Sequence, residues 1–144
     1  MEVIMKINIV YYSASGNTQM IADSIFEAVE DLGIEGSNDF VSDVTAESVI
    51  DADVLFLGSP AMNDENVEEY EFRPFFDELL PMLSGKRIVL FGSYDWGEGV
   101  WIENWEQEIV DAGGIVERKF AYQWEPTEEQ LKEAYEETKT VLSM

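Results

Sequence analysis

The chain has 144 residues, 46% hydrophobic and 12% aromatic, enough apolar mass to bury the core of one domain, which excludes a disordered segment. Eight Lys and Arg stand against 31 Asp and Glu, and the net charge of −23 excludes nucleic acid and anionic membrane as partners, since both would be repelled. Neither cysteine nor histidine is present, so there are no disulfides, no thiolate chemistry and no imidazole, and any reaction falls to a bound cofactor.

Strand and helix signals alternate along the whole length. The apolar segment Met5–Tyr11 predicts a first strand, and a helix follows from about Asn17 to Leu32, with Ile21, Ile25, Ala28, Val29 and Leu32 on its buried face and Gly33 stopping it. Between them runs Tyr12-Ser13-Ala14-Ser15-Gly16-Asn17-Thr18. A strand thus delivers a hydroxyl-rich turn onto a helix N-terminus, where backbone N–H groups, the positive end of the helix dipole and three hydroxyls can converge on one anion. The turn has no Lys or Arg, which suits a phosphate held permanently rather than one that reacts. It lacks the lysine of a P-loop and does not match G-x-G-x-x-G. An ordinary helix-capping turn would use the same residue types.

A weak second strand is expected at Asn38–Val41, then a helical turn at Ala46–Ile50. Val54-Leu55-Phe56-Leu57-Gly58 is a continuous apolar run, as in a strand buried on both faces. Phe72–Leu83 predicts a helix closed by Ser84-Gly85, Arg87–Ser93 a fourth strand, Ile102–Ala112 a helix ending at Gly113-Gly114, and Ile115–Tyr122 the last strand. Pro126 and the capping box Thr127-x-x-Gln130 open a final helix with Leu131, Ala134, Tyr135, Thr138 and Leu142 along one face. Five strands alternating with helices over residues 1–144 imply one α/β domain, a doubly wound parallel sheet with helices on both faces. Ligands bind such sheets beyond the carboxyl ends of the strands, where the strand order reverses.

Three loops lie at that end. The first is the hydroxyl-rich turn; the second is Ser59-Pro60-Ala61-Met62-Asn63-Asp64-Glu65-Asn66; the third is Ser93-Tyr94-Asp95-Trp96-Gly97-Glu98-Gly99. Met62 and Trp96 each offer an apolar surface amid turn residues, and an aromatic heterocycle with a phosphate tail would fit between them. Here the chain resembles the flavodoxins, specifically the short-chain, clostridial-type group. Ser13 to Thr18 is similar to the family's phosphate loop, with Ser15 where Thr is usual. Ala61-Met62-Asn63-Asp64-Glu65 resembles Ala-Met-Gly-Asp-Glu, Glu71-Phe72-Arg73-Pro74-Phe75 matches Glu-Phe-x-Pro-Phe, and Phe91 to Gly99 resembles Phe-Gly-Ser-Tyr-Gly-Trp-Gly-x-Gly. The fifth strand has no room for the insertion of long-chain members.

The resemblance implies strand order 2-1-3-4-5, non-covalent FMN, and low-potential one-electron transfer between redox partners, shuttling between semiquinone and hydroquinone, with no enzymatic turnover. It implies that Ser13, Ser15 and Thr18 hydroxyls and the Asn17 amide hold the phosphate, with Ala14 and Gly16 completing the turn. Met62 would cover the inner flavin face and Trp96 the outer, within loops that also contribute Ser59, Pro60, Ala61, Ser93, Tyr94 and Gly97. Glu65 would accept from the flavin N3–H, the Asn63–Asp64 backbone would face N5, and main chain around Asp95 would approach the pyrimidine end. Asn63 and Asp95 both stand where the group usually has Gly. Family members turn over the peptide corresponding to Asn63–Asp64 on reduction, a movement that needs positive φ and that Asn makes less freely than Gly. An FMN-dependent NAD(P)H oxidoreductase on the same fold is the alternative. The expected partners are basic surfaces of reductases and electron acceptors. With no apolar run of membrane-spanning length and no secretion signal, the chain is expected to be a soluble, cytoplasmic monomer.

Overall fold

Residues 5–62 and 65–143 are described by a computed structural model. In chain order the elements are β1 (Lys6–Tyr11), α1 (Asn17–Asp31), β2 (Glu35–Phe40), α2 (Ala46–Val49), β3 (Val54–Gly58), α3 (Phe72–Leu79), β4 (Arg87–Tyr94), α4 (Val100–Asp111), β5 (Ile115–Gln123) and α5 (Glu128–Leu142). All strand pairs are parallel, in the order β2-β1-β3-β4-β5.

The period-two alternation of the strands divides the core into two layers. Ile7, Ile9, Tyr11, Val54, Phe56, Val89 and Phe91 point under α1 and α5, meeting Ile21, Ile25, Val29, Ala134, Val141 and Leu142. Val10, Leu55, Leu57, Ile88 and Leu90 point the other way, under α2, α3 and α4, where Phe72, Phe76, Trp101 and Trp105 pack. Each fully buried Leu, Ile or Phe contributes about 1.5–3 kcal/mol, so the three central strands anchor the domain. A Cβ at Gly92 would collide with the Ser59 carbonyl, and one at Gly58 with the Phe91 ring. These glycines let β4 and the loop after β3 approach closely beneath the site.

Most element ends fall within one or two residues of the sequence expectation, and two differ by more. β2 begins at Glu35, three residues before Asn38, in register with β1 from Lys6↔Glu35 to Tyr11↔Phe40. Its polar side chains find partners there, with Asn8 Nδ2 donating to Ser37 Oγ at 2.8 Å and Asn38 Nδ2 to Asp23 Oδ1 at 3.0 Å. Pairing with β1 outweighs a poor strand propensity. α3 stops at Leu79, and Leu80–Met82 tightens into a 3₁₀ turn, because Pro81 has no N–H to continue the helical ladder.

Candidate functional site

The strand order reverses between β1 and β3, and the loops after β1, β3 and β4 open at that carboxyl edge. Two adjoining cavities lie between them. One, of about 290 Å³, is lined by Ser13, Ala14, Ser15, Thr18, Pro60, Ala61, Met62, Ser93, Tyr94 and Asp95. The other, of about 140 Å³, is lined by Ala61, Met62, Glu65, Asp95, Trp96 and Gly97. Sharing Ala61, Met62 and Asp95, they form one cleft running from the start of α1 to Trp96.

At the α1 end, Gly16 holds φ +96° and turns the chain into the helix. No side chain with a positive charge lines this end among the described residues. Ser13 Oγ accepts from the N–H groups of Gly16 (3.1 Å) and Gln19 (3.2 Å), so it caps the helix and keeps its own proton to donate. The Met20 N–H bonds the Gly16 carbonyl. Among the described residues the N–H groups of Asn17 and Thr18 take no partner, which leaves two donors at the positive end of the α1 dipole. The Thr18 hydroxyl, on a residue 1% exposed, lies 3.3 Å from Ser93 Oγ and ties the turn to β4. Ser15 and Ala14 are exposed on the rim.

The loop after β3 is fastened from several sides. Ser59 is wholly buried, and its hydroxyl accepts from the Glu68 N–H at 2.9 Å while its carbonyl accepts from Trp101 Nε1 at 3.2 Å. Ser59 therefore supports the cleft without lining it. The Met62 N–H bonds the Asn66 carbonyl at 3.0 Å, and Met62 is 38% exposed. Glu65 holds φ +56°, and its Oε2 accepts from the Trp101 N–H at the start of α4 (3.0 Å). Oε1 points toward Gly97, where a Cβ would stand 2.6 Å away. One carboxylate oxygen is thus committed to α4 and the other faces the cleft. Arg73 reaches Asn66 Oδ1 (3.2 Å) and Glu108 (3.0 Å) and so joins this loop to α3 and α4. The hydrogen bond to Glu108, first of all, holds the Arg73 guanidinium above its ordinary pKa. Asn63 and Asp64, expected to face the flavin N5, lie outside the described residues.

The loop after β4 brings Trp96 to the open end of the cleft, 80% exposed. Its ring meets Trp124, just past β5, edge to face at 4.9 Å. Trp124, Glu68 and Trp101 are supporting residues that sequence reasoning did not single out. Glu68 and Trp101 carry no local signal, whereas Trp124 could have been noticed as a bulky residue in the turn Gln123-Trp124-Glu125-Pro126. Gly16 and Asn17 belong to the α1 end by position and do not line the cavities.

A family model described as Flavodoxin matches residues 9–137. The chain is 40% identical to a flavodoxin of Clostridium beijerinckii over 121 residues, 83% of this chain and 88% of that one. It is 41% identical to a flavodoxin of Megasphaera elsdenii over 110 residues, covering 76% and 80% of the two. Among solved structures, two-electron reduced Megasphaera elsdenii flavodoxin superposes with a TM-score of 0.83 at 37% identity, covering 93% of this chain and 98% of that one.

Proposed function

The chain belongs to the flavodoxin family, and from that premise we propose how its own residues hold the cofactor and meet partners. It is an FMN-binding electron carrier, not an enzyme with a substrate of its own. The flavin supplies the one-electron chemistry, and the protein supplies binding and electrostatics.

The observation that carries the site assignment is the single cleft joining the α1 N-terminus to an exposed indole. Its donor set fits the group. The Asn17 and Thr18 amides and the Ser13 and Ser15 hydroxyls bind the phosphate without a counter-charge. Thr18 holds Ser93 against the turn, and Ala14 and Gly16 shape it. Pro60, Ala61, Tyr94 and Asp95 form the middle of the cleft, with Met62 on the inner face of the flavin ring and Trp96 on the outer. Glu65 Oε1 accepts a hydrogen bond from the ring's imide edge, with Gly97 leaving it room. Trp96 at the open end also works against the roomy second site that a nicotinamide-dependent oxidoreductase needs.

The net charge of −23 steers the carrier toward basic patches on reductases and acceptors, a long-range attraction that speeds encounter without strengthening the final complex much. No helix among the described residues is long and apolar enough to cross a membrane. A cysteine-free chain needs no oxidising compartment, which suits a cytoplasmic monomer.

Calorimetry of the apoprotein against FMN and riboflavin tests the phosphate end. Two lost charge-assisted hydrogen bonds at about 1.5–3 kcal/mol each predict riboflavin to bind at least a hundredfold more weakly. Equal affinities would remove the α1 turn from the site.

A further inference from the structure

Past the end of β5, Trp124 holds φ +60°, one of two non-glycine residues at positive φ among the described residues. A left-handed backbone is costly for a bulky side chain and persists only where its surroundings impose it. Three contacts impose it here. The Trp124 N–H donates to the Tyr94 carbonyl at 2.8 Å. Gln123 Nε2 donates to the Asp95 carbonyl at 2.9 Å. The Trp124 ring stands at 88° to Trp96, centroids 4.9 Å apart, within the favourable range for an edge-to-face pair. The last residue of β4 and the one that follows it are therefore held through their carbonyls, and Trp96 through its ring, by the end of β5 and the residue beyond it.

Trp96 needs such a hold. It is 80% exposed, and among the described residues Trp124 is its one aromatic neighbour. An indole so exposed would otherwise exchange between rotamers on the surface. We infer that Trp124 is a positioning residue for the cofactor site: its ring fixes the Trp96 indole over the cleft, and its left-handed backbone is the conformation that delivers the ring there. This rests on the reading of Trp96 as the outer wall.

Two substitutions separate ring from backbone. Trp124→Asn keeps a residue that tolerates positive φ and removes the ring; Trp124→Phe keeps a ring. With the full-length chain titrated with FMN, Trp124→Asn is expected to weaken binding about two- to tenfold, the range of an aromatic pair. It should also raise the residual flavin fluorescence, while the melting midpoint of the apoprotein stays or rises. Trp124→Phe should stay within about twofold of the parent. Near-ultraviolet circular dichroism of the apoprotein should lose its coupled indole signal in Trp124→Asn. In a Trp96→Ala background, Trp124→Asn should cost nothing further, because its effect passes through Trp96. Parental affinity in Trp124→Asn, with Trp96→Ala weakened, overturns this inference and leaves the wall intact. Equal losses in both backgrounds overturn it too, since Trp124 would then act without Trp96. Parental affinity in Trp96→Ala removes the wall and the inference together.

Discussion

The Glu68 carboxylate, on a residue 2% exposed, accepts from the N–H groups of Tyr70 (2.7 Å), Glu71 (2.9 Å) and Phe72 (2.8 Å), while its own N–H reaches Ser59. A buried negative charge thus satisfies the donors that open α3, with the favourable sign for a helix N-terminus. Glu68→Gln keeps the shape and removes the charge and one acceptor, so urea unfolding should show a loss of about 2 kcal/mol. The exposed neighbour offers a control, since Glu69→Gln should stay within about 0.5 kcal/mol. Equal effects would mean that the carboxylate is not acting as the cap. Nothing in Glu65-Asn66-Val67-Glu68-Glu69 marks the fourth residue as buried, because four of the five positions are polar or acidic and a loop has no periodicity to read. Ser13 was more legible: the sequence placed its hydroxyl at the α1 turn but not its capping role, which depends on how the chain closes at Gly16.

Among the elements, β3 was readable to the residue and β4 to within one, since continuous apolar runs bounded by Gly or Lys leave little choice of register. β2 was not, as Glu35-Gly-Ser-Asn-Asp-Phe40 contains a single large apolar residue and acquires its strand identity from β1. The junction of β5 with α5 was legible, since the capping box Thr127-x-x-Gln130 opens α5 as expected, but the tie between the two elements was not. Tyr122 is buried, its hydroxyl donating to Glu133 at 2.9 Å, and burial first, then that hydrogen bond, raises its pKa above the ordinary value of 10.0. The folded state therefore keeps a proton that the unfolded chain releases near pH 10. Stability from this group is complete below that pH and declines above it, as pH climbs toward the raised folded value. Tyr122→Phe should flatten the alkaline fall in stability while costing about 1 kcal/mol at neutral pH through the lost hydrogen bond. Denaturant melts at pH 7 and above pH 10 measure both; an unchanged alkaline slope would assign it to other groups.

At the scale of the whole molecule, 31 acidic side chains stand against eight basic ones. Ion pairs such as Arg73 with Glu108, Arg87 with Glu117 and Lys119 with Glu106 occupy part of the small basic complement. The uncompensated charge repels itself, and screening shortens from about 30 Å at 0.01 M salt to about 3 Å at 1 M. Added sodium chloride over that range should raise the apoprotein's melting midpoint by several degrees, corresponding to about 1–2 kcal/mol. A flat or falling midpoint would show that the acids are spaced widely enough not to interact. Composition alone announced this term, and the three loop motifs marked the loops that the structure gathers around one cleft. What they could not announce is the bracing of one loop by another, as in Thr18 against Ser93 or Trp124 against Trp96, because contacts across the sheet edge leave no trace in local spacing.

The sheet's two outermost strands, β2 and β5, each leave one row of backbone amides and carbonyls without a neighbouring strand. Such rows invite a second chain to add on, and aggregation begins there when the strand is long, flat and apolar. Here one edge is the polar Glu35–Phe40 and the other carries Glu117, Arg118 and Lys119 along its length. The most adhesive segments, β3 and β4, are sealed in the middle. The polar and charged side chains along both rims therefore keep the exposed edges from templating a second chain.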